Sequence, residues 1–269
     1  MITTSLSPRT QQYESGLEHA RQALKIRRKL AKARPDEFEP DLATSLSNLA
    51  NHLSEVGQYE SGLEHAREAL EIRRKLAEAK PDRFQPDLAA SLSNYASHLS
   101  DVGQYESGLK YARQALEIRR KLAEARPDRF EPDLFSLACN LSILQWLAGS
   151  SSEGDGFEDL CVIPGSMPLH RRHAAEVRTA FVTALTSEPE RAAAFAEVIS
   201  TWTRSTTTRK SEIREYFLCG AAWSEKFAQK EVAEVDWRAV LREEMARRGG
   251  VLPRWMQDVA VRLGFNWNA

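Results

Sequence analysis

Hydrophobic positions in the first half of the chain recur at helical spacing inside a block that begins at Gln12, begins again at Gln58 and again at Gln104, a period of 46 residues. In one block Leu42, Leu46, Leu49, Ala50, Leu53 and Val56 fall on one face of a helix introduced by Pro40 and Asp41, the aspartate serving as N-cap. Gly57 follows where a left-handed C-cap is wanted, and a new periodic run opens at Tyr59. So short a turn predicts an antiparallel pair. The second helix carries two apolar rows, Leu63, Ala66, Leu70 and Ala69, Ile72, Leu76, Ala79, a stripe wide enough to touch neighbours on both sides. Pro81, with its copies Pro35 and Pro127, stops that helix after about 22 residues, roughly 33 Å. The segment from Pro81 to Asp87 is expected to be a loop leading to the next pair. Self-similarity at such a period is the signature of a stacked solenoid, in which each hairpin buries its apolar face on the next.

These residues resemble the tetratricopeptide repeat, in the long variety seen in kinesin light chain and in bacterial multidomain signalling proteins. The small residues Ala50, Gly62 and Ala69, the turn at Gly57 and the aromatic Tyr59 match the motif. The period of 46 in place of 34, Leu46 in place of Trp and Gly62 in place of Ala depart from it. The resemblance covers about residues 12–149 and nothing afterwards. It implies an all-α solenoid whose first helices line a concave groove that holds an extended peptide or a partner's helix. Carried over, the groove positions are Thr44, Ser47, Asn48, Asn51, Ser54 and Glu55, then Ala90, Ser93, Asn94, Ser97, Ser100 and Asp101. The sequence supports this independently, because these sites are polar along one face of otherwise apolar helices, and the differences Thr44/Ala90, Asn51/Ser97 and Glu55/Asp101 fall there.

Asn48, Asn94 and Asn140 are one repeat position three times. An amide donates and accepts at once, so such a ladder can pair with a peptide backbone regardless of its side chains. The alternative is that duplication copied an asparagine bonded to a neighbouring helix. His19, His52, His65 and His98 read as packed or solvent-facing helix residues. In the third copy the groove face turns apolar: Ser93 gives way to Cys139, Ser97 to Ile143, Ser100 to Trp146 and Asp101 to Leu147. Such a patch is normally covered, so Ile143, Trp146 and Leu147 are expected to receive the C-terminal segment as a cap. At the other end residues 10–34 form a second-type helix without its partner, which leaves room for a homo-oligomer through that edge or for a longer array. The basic triplets at 27–29, 73–75 and 119–121 are interleaved with Glu and read as a solvated face.

Gly, Ser and acidic residues at 149–156 mark a composition shift, which divides the chain into a repeat domain over 1–149, a linker over 150–156 and a helical domain over 157–269. Helical signals follow at about 170–186, 188–203, 209–229, 236–248 and 253–263, with Ser187 and Glu190 as a capping box. Five tryptophans, from Trp202 to Trp267, read first as core and then as interaction surface. Cys161 with His170 and His173 is the one combination that could suggest a nucleophile or a zinc ligand set, and it lacks the spacing of either. The acidic run Glu153, Asp155, Glu158, Asp159 lacks the spacing of a calcium loop. No phosphate loop and no zincin motif is present, so no cofactor and no metal is expected.

Charge narrows the classes further. Acidic and basic residues nearly cancel, 38 against 37, which speaks against nucleic-acid or anionic-membrane recruitment. Three widely spaced cysteines fit free thiols in a reducing compartment. The first residues lack the apolar core of a signal peptide, and the longest apolar run, 134–148, is too short to span a bilayer. A cytoplasmic, non-catalytic scaffold or adaptor that binds a protein or peptide in its groove is therefore expected. The alternative is a substrate-recruiting array fused to a C-terminal effector or enzymatic domain.

Overall fold

The computed structural model describes residues 8–149, 163–165, 167, 169–204, 207–227 and 236–267, whose regular structure is all α-helix. The first six helices are α1 (Pro8–Ala33), α2 (Pro35–Glu55), α3 (Tyr59–Ala79), α4 (Pro81–Asp101), α5 (Tyr105–Ala125) and α6 (Pro127–Ala148). Each packs on the one before and the one after, and α4 also touches α2 and α6, so these three lie side by side as one wall.

The segment expected to be a loop at Pro81–Asp87 is helix. A single residue, Lys80 at φ −143 and ψ 77, separates α3 from α4, and Arg34 and Arg126 do the same in the flanking copies. A proline drives the residue before it out of the α region, which ends one helix, and its own fixed φ suits the first position of the next. The second proline of each motif, Pro40, Pro86 or Pro132, therefore lies inside a helix. It costs one backbone hydrogen bond there, close to the helix start.

Two devices fix the stacking. Glycines with φ of 81 and 79 at Gly57 and Gly103 let Gln58 N–H and Gln104 N–H reach back to the carbonyls of Leu53 and Leu99 at 2.8 Å, closing each hairpin. Across hairpins, the first arginine of each basic triplet pairs with the aspartate that follows the second proline: Arg27 with Asp41, Arg73 with Asp87 at 2.6 Å, Arg119 with Asp133 at 3.0 Å. The triplets are thus not uniformly solvated. Arg73 is buried because it also donates to the Thr44 hydroxyl at 2.7 Å.

The remaining helices are α7 (Leu169–Thr186), α8 (Arg191–Arg204), α9 (Thr207–Phe227), α10 (Trp237–Arg247) and α11 (Arg254–Leu263). The capping box expected at Ser187 does not form. Ser187 N–H still bonds Thr183 O at 2.9 Å as the end of α7, and α8 begins only after a turn through Pro189. α7, α8 and α9 pack in sequence, α10 and α11 lie on α9, and α7 and α11 reach back to the solenoid. One apolar core consequently runs from Leu92, Leu99 and Leu116 through Phe135 and Leu141 to Phe181, Phe195, Phe217 and Met256. A second, smaller core of Leu17, Leu24, Leu42, Leu46, Leu49 and Leu53 serves the first hairpin. At its outer edge Ile26 is 59% exposed, whereas its copies Ile72 and Ile118 are partly buried.

Candidate partner-binding site

The wall of α2, α4 and α6 carries the groove positions, and the structure divides them. Asn48, Asn51, Asn94 and Ser97 are exposed, and Ser47, Ser93 and Asn140 are half-buried beside them. The hydroxyls are largely spent on their own helices: Ser47, Ser93 and Ser97 donate to carbonyls four residues back, at 3.0, 3.0 and 3.2 Å. Thr44 is likewise bonded to Pro40 O at 3.0 Å and belongs to the inter-hairpin ladder. The amides of Asn48, Asn94 and Asn140, by contrast, make no hydrogen bond to another described residue.

The C-terminal ends of the same helices lie beneath the C-terminal helices. Arg247 donates to Glu55 O at 2.7 Å, and Arg248 donates to Ser54 O at 3.4 Å and to the Tyr59 hydroxyl at 3.2 Å. Tyr59 donates to Val251 O at 2.9 Å, and its copy Tyr105 donates to Asp258 at 2.5 Å. Arg262 reaches the carbonyls of Trp146 and Leu147 and lies over the Trp146 ring at 5.3 Å. The segment from Arg247 to Arg262 therefore follows the hairpin turns one after another.

Behind this rim Glu244, fully buried, accepts from Arg214 at 3.1 Å, from Arg248 at 2.6 Å and from Arg247. Burial pushes its carboxyl up, but the charges and hydrogen bonds of Arg248 and Arg247 outweigh this and hold it at about 2. Arg248 also pairs with Glu215. Beside them Ser54, His98 and Asp101 adjoin, yet they are not a nucleophilic triad. His98 faces both the Ser54 hydroxyl, at 3.0 Å, and Asp101, at 3.9 Å, with the same nitrogen, Nδ1. Burial lowers His98 to about 4. Asp101 is raised to about 7, by burial first and then by the Glu215 charge, against the pull of Arg248 and a hydrogen bond from Ser54.

Between α4, α6, α7, α9 and α11 lies a cavity of about 260 Å³, with Asp101, Asn140, Arg178, Glu215, Tyr216 and Trp255 in its walls. It opens beside Ser97, so it meets the end of the exposed asparagine face. Of the residues expected to take a cap, Ile143 lines this cavity, Leu147 is buried in the shared core and Trp146 is half-buried under Arg262. Cys139 and Cys219 are buried, and neither forms a disulfide. Cys161, the linker over 150–156, the acidic run 153–159 and the side chains of His170 and His173 lie outside the described residues. Among the described residues no group could hold a metal ion, and no helix is long and apolar enough to cross a membrane.

The rim contacts are what sequence reasoning missed. Tyr59 and Tyr105 were visible as copies of one position, and the pair Arg247–Arg248 before Gly249–Gly250 was visible as a charged helix end, but no local pattern joins them.

Stacked antiparallel hairpins of two long helices, with a polar face along one wall, define an α-helical repeat protein of the interaction-module class. The family model for the tetratricopeptide repeat matches residues 42–82 and 88–128, which are α2 with α3 and α4 with α5, so these hairpins are tetratricopeptide repeats. No curated protein matches the chain.

Proposed function

We propose that the protein is a scaffold or adaptor that binds a segment of a partner protein along the wall of α2, α4 and α6. Asn48, Asn51, Ser93, Asn94 and Ser97 form the floor of this site, and Asn140 stands at its end. The observation that carries the reading is the asparagine ladder: three amides at one repeat position, on the wall of α2, α4 and α6, without hydrogen-bond partners among the described residues. An asparagine retained for inter-helix bonding would show such a bond. An amide left open offers a donor and an acceptor to a passing backbone. The C-terminal helices, in this reading a separate domain over 157–269, close one rim of the groove and cover the apolar face of the third copy. Cys139 and Cys219, buried and outside any disulfide, suit a reducing, cytoplasmic setting.

The test compares wild type with an Asn48→Ala, Asn94→Ala variant as baits in cell extract, with quantitative mass spectrometry, after circular dichroism has shown equal helicity. At least one captured protein should fall about tenfold with the variant, the loss expected from roughly 1.4 kcal/mol of hydrogen bonding. Equal capture of every protein by both baits would place binding elsewhere.

A further inference from the structure

The cavity at the end of the groove contains two ionisable side chains, Asp101 and Arg178, that form no ion pair with an Arg, Lys, Asp or Glu among the described residues. Asp101, on α4, has no Arg or Lys among the described residues within ion-pair distance; the basic side chain beside it is His98, at 3.9 Å, which burial keeps neutral. Burial and the Glu215 charge raise the pKa of Asp101, and the pull of Arg248 and the Ser54 hydrogen bond do not offset them. Arg178, on α7, has no carboxylate partner among the described residues, and its buried Nε–H finds no acceptor there. Glu215 cannot serve either of them in full, because its carboxylate is engaged by Arg248. Asp101 and Arg178 thus face one 260 Å³ space without pairing with each other. The Asn140 amide in the wall is unbonded too, and Tyr216 and Trp255, with ring centroids 6.1 Å apart, supply an aromatic surface.

We propose that this cavity binds a small zwitterion of the α-amino-acid class, its ammonium on Asp101, its carboxylate on Arg178 and Asn140, and an apolar or aromatic side chain against Tyr216 and Trp255. The physical reason is charge balance. A half-buried charge without an ion partner is costly, and a ligand of one sign would relieve one wall and leave the other exposed to the same cost. A molecule with both signs relieves both. Asp101 and Asn140 belong to the solenoid, and Arg178, Tyr216 and Trp255 belong to the C-terminal helices, so the ligand bridges the two and stabilises their contact by mass action. The cavity shares Ser97 and Asn140 with the proposed partner site, but neither Asn48 nor Asn94 lines it, so the two readings are tested by different substitutions and can fail separately.

Thermal unfolding of the intact protein at pH 8, where Asp101 is ionised, tests it against each of the twenty L-amino acids at millimolar concentration. At least one with an apolar or aromatic side chain should raise Tm by about 2–4 °C. The amine and the carboxylic acid that each carry the same side chain but lack the second charge should give no shift. Asp101→Asn and Arg178→Gln, each shown to melt cooperatively, should abolish it. The proposal is overturned if no amino acid in the panel shifts wild type, if a singly charged analogue shifts it equally, or if the shift persists in both variants. The wild-type panel decides even if a variant does not fold.

Discussion

At the scale of single residues, the rim is governed by buried titratable groups that pull in opposite directions. His98 is depressed from 6.5 to about 4, so its favourable contribution is present above pH 6.5 and is lost as pH falls through 4. Asp101 is raised from 3.8 to about 7. The folded state therefore binds the extra proton, and its contribution is full below pH 3.8 and lost as pH rises through 7. Between pH 4 and 6.5 the two slopes oppose each other in the wild type. Asp101→Asn removes one of them. Its stability, followed by urea unfolding, should climb more steeply than that of wild type over this window, and above pH 7 the variant should be the more stable of the two. Parallel curves for the two proteins would show that Asp101 titrates as an exposed carboxyl. The groups facing Asp101 that bear on this are His98, Ser54, Glu215 and Arg248. Glu244 titrates far lower, at about 2, and does not enter the window.

At the scale of elements, the turns between helices are also docking points for the C-terminal segment, and the glycines separate these two duties. A Cβ at Gly57 would lie 2.1 Å from Arg248 O, a backbone atom that can move only if the end of α10 moves. A Cβ at Gly149, at nearly the same φ, would meet nothing within 4 Å. Gly149→Ala should thus cost only the left-handed penalty, about 1–2 kcal/mol. Gly57→Ala should cost about 2 kcal/mol more, because it displaces Arg248 from Ser54 O and the Tyr59 hydroxyl. Denaturant midpoints of the two variants measure the difference, and equal losses would mean that α10 does not bear on this turn. The same elements show what the sequence could and could not disclose. Periodic apolar rows located the described helices, with bounds within a few residues except at the starts of α2, α4 and α6, because burial faces are local patterns. Helix starts at Pro35, Pro81 and Pro127 were not read, because a proline that ends one helix is equally suited to begin another, and only the path of the preceding residue decides. The polar wall was legible through the asparagine copies. The Tyr59–Val251 and Tyr105–Asp258 bonds span 192 and 153 residues, and no spacing rule reaches so far.

At the scale of the whole molecule, near-identical helices occupy different surroundings, which amounts to a built-in comparison. Residues 13–33 of α1 and 59–79 of α3 differ only at Gln22/Glu68, Lys25/Glu71 and Lys32/Glu78, so their intrinsic helical propensities nearly coincide. Their neighbours do not. α3 lies between α2 and α4, whereas α1 packs on α2, leaves Ile26 largely exposed and draws on the smaller of the two cores. In a linear array stability is a sum of repeat and interface contributions, so an end helix with one interface opens more readily than its internal copy. The other end is different, because α6 shares one core with α7, α9 and α11. Amide hydrogen exchange should therefore show a gradient. Protection factors in α1 should be about tenfold or more below those at the matching residues of α3, the equivalent of roughly 1.4 kcal/mol, and α6 should match or exceed α5. Equal protection of α1 and α3 would mean that the edge of α1 is covered in solution, and a dependence of α1 protection on protein concentration would identify a second copy of the chain as the cover.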